Sequence, residues 1–242
     1  MLLQSIGPDD VITASFTLIF VIIGLFVGLR IILRYFATKR KDFLAVGLAW
    51  ICLCSPWWSA PFSFLTYLAT GVTWEIHVFF FIGNIFIPVA LICWIYISAE
   101  TAFQNWKKPM MITYFLICVI FVIVFMVTLI VDVNSIGTFD GTFDARYLGF
   151  TRLFQIFAVV SALITGFLFV RQSFSSDVPK VKWKGRFLLL AFIIFAISAV
   201  VDSALPLGVI GVIAIRLLLI FSAISYYFGW LLPDRILQLL NK

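Results

Sequence analysis

Arg216 stands in the middle of VIGVIAIRLLLIFSAI, where the other fifteen residues are apolar or small. A guanidinium inside a lipid-length segment is expensive, so it needs an acidic partner, a wet cavity or a ligand. It lies roughly 13 Å from the near end of its segment at 1.5 Å per residue, and a long side chain there can lean toward the headgroups. Two readings stay open. One is a structural Arg tied to an acid, with Asp202, Glu75 and Asp132 as candidates and Asp202 favoured. The other is a polar contact for something bound inside the bundle. Further polar side chains gather toward the same end. Arg152 and Gln155 are one turn apart, as are Ser198 and Asp202, while His77 and Asn84, seven residues apart, share a helical face. Arg216, Arg152, Asp202, His77, Asn84 and Gln155 are therefore the candidate ligand contacts. Scattered interhelical hydrogen bonds are the plainer alternative.

Much chemistry is absent from the sequence. A single histidine cannot build a multi-His zinc site, and Cys52 with Cys54 makes a poor one. No metal and no cofactor are expected. The four cysteines (Cys52, Cys54, Cys93, Cys118) fall inside hydrophobic segments, so no disulfide framework is readable. GxSxG, a glycine-rich phosphate loop and paired intramembrane aspartates do not occur, and the expectation is a protein that is not an enzyme. The last segment has no lysine, which excludes a retinal Schiff base of the microbial-rhodopsin type there. ISAETAF occupies the place of the acid–Arg–aromatic triplet of G-protein-coupled receptors, and Asn-Pro-x-x-Tyr is missing.

The elements that must position these residues are membrane helices. Of the 242 residues 64% are hydrophobic and 12% charged, against roughly 25% charged in soluble domains. Apolar runs long enough to span cover about 11–34, 43–69, 74–99, 109–132, 147–171, 187–204 and 207–232. The expected fold is an all-α seven-helix bundle over 1–232, with 233–242 a short amphipathic tail on the membrane surface. In the second run Pro56 and Pro61 remove helix hydrogen bonds and predict a kink. Ser55, Ser59, Ser63, Thr66 and Thr70 form a stripe on that run, read as a packing face or a cavity wall. Gly24 and Gly28 form a GxxxG packing or dimer motif, so a homo-oligomer stays open.

Charge orients the bundle. Fourteen of the seventeen Lys and Arg fall on one side, twelve of them in RYFATKRKD, NWKK, VPKVKWKGR and the tail and the others at Arg30 and Arg171, whereas seven of the acids fall on the other. The basic side is expected to be cytoplasmic and the N-terminus outside. The net charge of +6 then reflects this bias and contact with membrane lipid, with no need of nucleic acid. The start MLLQSIGPDD lacks the basic region of a cleavable signal peptide, so the first span is expected to be its own anchor.

IAIRLLLIFSAISYYFGWLLPDRILQLL, with the inner-loop lysines and AISAVVDSALP, resembles archaeal seven-transmembrane-helix proteins akin to the N-terminal sensory region of membrane histidine kinases. The features carrying the resemblance are Asp202, Arg216 and the Tyr227, Gly229, Pro233 pattern, mainly in the last third of the chain. It implies a receptor- or sensor-like unit in the cell membrane of a prokaryote. Such a unit would bind a small or lipidic ligand from outside and signal through a separate cytoplasmic partner. A small-solute transporter similar to the SWEET and PQ-loop families is the rival, although no Pro-Gln pair occurs. A structural membrane protein is the third reading.

Overall fold

A computed structural model describes residues 6–205 and 207–240. Ten α-helices carry the chain: α1 Pro8–Thr38, α2 Lys41–Leu53, α3 Ser59–Thr70, α4 Ile76–Asn84, α5 Ile87–Thr101, α6 Lys107–Val131, α7 Gly149–Phe174, α8 Pro179–Ala204, α9 Val209–Leu231 and α10 Asp234–Leu240. Two short strands, β1 Gly137–Phe139 and β2 Ala145–Tyr147, join α6 to α7 as a hairpin. Among the described residues six helical stretches are long and apolar enough to cross a membrane, with α4 and α5 counted as one. The pair α2 and α3, bent by 62°, makes a seventh if it crosses as one span. Pro206 lies outside the described residues, as do 241–242 at the end of the tail.

The bend has a local cause. Ser55–Trp57 is a 3₁₀ turn, held by Trp57 N–H to the Cys54 carbonyl (3.1 Å) and Trp58 N–H to the Ser55 carbonyl (2.9 Å). Pro56 within it has no N–H to continue α2, and its ring would crowd the carbonyl four residues back. Pro61 plays a different part. It sits in the first turn of α3, where backbone N–H groups have no helical partner in any case. A second interruption, at Ile85 and Phe86 just ahead of Pro88, separates α4 from α5 and was not read from the sequence.

Helix α1 packs on α2, α2 on α5, α5 on α7, α7 on α8, α8 on α9 and α9 back on α1, closing a ring of six. Helix α6 lies outside it against α5, with Phe121 stacked on Phe154 of α7 at 3.7 Å between centroids. Its outer face, Ile112, Phe115, Ile123 and Ile130 among others, is apolar and exposed, which suits a lipid surface. Gly28 packs against Gly47 and Ile51, so this part of the GxxxG motif serves a close crossing of α1 and α2 within one chain. The serine stripe also packs. Ser59 donates to the Phe79 carbonyl (2.6 Å), Ser55 to the Gly83 carbonyl (3.4 Å), and Ser63 accepts from the Trp74 N–H (3.0 Å).

The two ends of the bundle differ in charge. At the basic end Lys184 donates to the carbonyl of Trp230 (2.8 Å), meeting the partial negative charge of the α9 C-terminus. Lys180 pairs with Asp234 of α10 at 2.5 Å. The hairpin covers the other, acidic end.

Candidate ligand cavity

Asp202 lies in the last turn of α8 and Arg216 about two turns into α9. These helices are adjacent and antiparallel, so the two side chains meet. Arg216 Nη1 donates to Asp202 Oδ1 at 2.8 Å, and Nε donates to Thr17 Oγ1 of α1 at 2.9 Å. Thr17 in turn donates to the Thr13 carbonyl (2.8 Å). The other carboxylate oxygen of Asp202 accepts from Trp57 Nε1 at 2.7 Å. The proline-induced turn that breaks the second span places Trp57 there. The guanidinium is buried (its side chain 4% exposed) and the carboxylate is 18% exposed. Both charges are therefore removed from most solvent, and both are met by hydrogen bonds, as a buried pair requires.

Above this cluster lies a cavity of about 440 Å³. Thr13, Trp57, Gln155, Asp202 and Arg216 reach it from the helices, and Asp140, Asp144 and Tyr147 from the hairpin. The volume falls within the range that holds small-molecule ligands, ~300–1,000 Å³. Its inner limit is aromatic. Trp50 stacks on Tyr226 (4.3 Å), Phe195 packs against Trp50 and Trp57, and the Tyr226 hydroxyl donates to the Val46 carbonyl (3.1 Å). Between Trp50, Trp94, Phe192 and Tyr226 there remains a void of only about 20 Å³.

The hairpin forms the cover. Its strands pair antiparallel, Thr138 opposite Arg146, and the turn passes through Gly141 at φ +98°, a conformation open to glycine at no steric cost. Thr142 Oγ1 donates to Asp10 Oδ2 at 3.1 Å, tying the turn to the start of α1. Phe143 meets Phe64 and Tyr67 edge-on, and Phe139 packs on Phe79 and Phe80. Tyr147 rests its hydroxyl against Gly83, where a Cβ would lie 2.5 Å away.

Asp144 lies over the cavity mouth. Its surface is reached by solvent, yet protein surrounds it at longer range. That burial pushes its carboxyl up to about 6. The Arg216 charge pulls the other way, and Asp202 and Asp140 add to the rise. One oxygen accepts from the Ala145 N–H (2.8 Å). Among the described residues no protein group donates to the other.

The candidate residues thus divide. Arg216, Asp202 and Gln155 line the cavity. Asn84 is fully buried behind it, accepting from Gln155 Nε2 (2.8 Å) and donating to the Phe80 carbonyl (2.8 Å). His77 is exposed in the first turn of α4, and Arg152 is half-buried near the start of α7; neither lines the cavity. Sequence reasoning missed Thr17, Trp57 and the hairpin. The signal for the hairpin is Asp140-Gly141 between two Thr-Phe pairs, a turn dipeptide, although the register Phe139 opposite Ala145 makes the connection longer than two residues. Thr13 and Thr17, one turn apart in an apolar segment, mark the face of α1 that meets Arg216. Among the described residues no group of three or more His, Cys, Asp and Glu is placed to hold a metal ion.

No family model, curated protein or solved structure matches this chain.

Proposed function

We propose that the chain is an integral membrane protein of seven spans, receptor- or sensor-like, that binds a small ligand in the hairpin-covered cavity. The bent pair α2–α3 counts as one span in this reading. The acidic end then faces outward and the basic end the cytoplasm, following the distribution of Lys and Arg. The single observation that carries the reading is the cavity itself: about 440 Å³, with charged groups set in a largely apolar wall and covered by a tethered hairpin. Ligand contacts there reach α1, α8 and α9 together through Thr17, Asp202 and Arg216, so occupancy can bias how these helices pack. A cytoplasmic partner would read that shift at the basic end.

The aromatic packing beneath the cavity supports binding over passage, because Trp50, Trp94, Phe192 and Tyr226 leave a void of only about 20 Å³ between them. A transporter would have to open that layer. Native mass spectrometry in mild detergent, with an Ala199→Trp variant that fills the cavity, tests the proposal. Retained or added small molecules on the parent protein and none on the filled variant are expected. Equal adducts on both would remove the cavity from the account, and solute accumulation in proteoliposomes would favour transport.

A further inference from the structure

We propose that the cavity takes a small organic cation, an amine with an apolar body, whose ammonium group is met by the free oxygen of Asp144. This rests on the reading of the cavity as a ligand site. The charges on the wall decide the class. Asp140, Asp144 and Asp202 face two guanidinium groups, Arg146 and Arg216. Arg216 is committed: Nη1 to Asp202 and Nε to Thr17. Asp202 is likewise committed, to Arg216 and Trp57. Arg146, the exposed residue of β2, also lines the cavity. An entering anion finds only Arg146 outside the buried pair, outnumbered on the same hairpin by Asp140 and Asp144, whereas an entering cation finds a carboxylate oxygen that no protein group among the described residues donates to. The remaining wall is largely aliphatic with Trp57, Phe143 and Phe195 set into it, so it can hold an apolar body and offers ring faces to a cation.

Burial is the main cause of the upward push on Asp144, and the carboxylates of Asp202 and Asp140 add to it. A bound ammonium relieves it, so binding releases a proton when the pH lies near 6. The charged groups around Asp144 are Asp140 and Arg146 on the hairpin, Asp10 on α1, Asp202 on α8 and Arg216 on α9. None of them donates to the second carboxylate oxygen of Asp144.

Isothermal titration with 2-phenylethylamine, 2-phenylethanol and phenylacetate tests the assignment. The amine is expected to bind saturably and at least tenfold more tightly than the alcohol or the carboxylate. Its affinity should fall as the pH is lowered from 7.5 to 5. Asp144→Asn should weaken the amine tenfold or more, with the thermal unfolding transition retained, and Asp144→Glu should restore part of the loss. Equal or tighter binding of the alcohol or the carboxylate would overturn the cation assignment and leave the cavity as a ligand site. Unchanged amine binding by Asp144→Asn would overturn the anchor. Failure of all three probes to bind, at pH 5 and at pH 7.5, would overturn the assignment, and an adduct-free parent protein in native mass spectrometry would then remove the ligand-site reading as well.

Discussion

The guanidinium of Arg216 and the carboxylate of Asp202 lie 2.8 Å apart at the floor of the cavity, joining adjacent antiparallel helices. Thr17 and Trp57 complete the pair from two further elements. Four separate parts of the chain thus converge on one charge pair. Removing one partner leaves the other buried and unmet, which costs ~3–5 kcal/mol. Asp202→Ala should lower the thermal midpoint markedly, and Asp202→Ala with Arg216→Leu should recover most of the loss. Thermal denaturation in detergent reads both. A double variant no more stable than Asp202→Ala would show that the pair is not what holds these helices together.

Asp144 gives the pH dependence. Its carboxyl is raised to about 6 in the folded protein, above the ordinary 3.8. The folded state therefore holds the proton more tightly than the unfolded one. The stabilising contribution is complete below about pH 4 and is lost as the pH rises through about 6. Asp144→Asn should be more stable than the parent at pH 7.5, with the difference vanishing at pH 4. Unfolding curves across pH 4–8 check this, and a difference that grows toward low pH would contradict it.

The cover depends on the close seat of Tyr147 on Gly83. Adding a Cβ at position 83 puts a methyl 2.5 Å from the tyrosine hydroxyl and 3.2 Å from Ser59 Oγ. Gly83→Ala should displace the hairpin at a cost of ~1–3 kcal/mol and speed hydrogen exchange over 137–147. Unchanged exchange there would mean that the hairpin is held by its Phe139 and Phe143 contacts alone.

The helices were legible because lipid-length apolar runs leave few alternatives. The Arg216–Asp202 pair was legible too: an ion too costly to bury alone, with an acid on the adjoining helix, has little choice of partner. The placement of Trp57 was harder to read. Pro56 predicts a break, but the direction in which a broken helix swings its next side chain depends on what it packs against. Gln155 and Arg152 looked equivalent by spacing, and only the position of α7 in the ring separates them. His77 shares a helical face with Asn84, yet seven residues along an axis carry it about 10 Å toward the helix end, where it is exposed. The hairpin is short, with strands of three residues each, so its Asp-Gly turn is a weak signal between two long apolar runs.

The central claim, a cavity reached from the acidic end and closed from the basic end, is tested most directly by labelling Ala199→Cys with a membrane-impermeant thiol reagent in sealed, oriented vesicles. Position 199 lines the cavity, and the native cysteines 52, 54 and 118 are buried and Cys93 half-buried, so the parent protein supplies the background rate. The account predicts labelling from the hairpin side, accelerated by Thr142→Ala, which removes the hydroxyl bonded to Asp10. Labelling from the basic side alone, or none from either side with the variant folded, would contradict it.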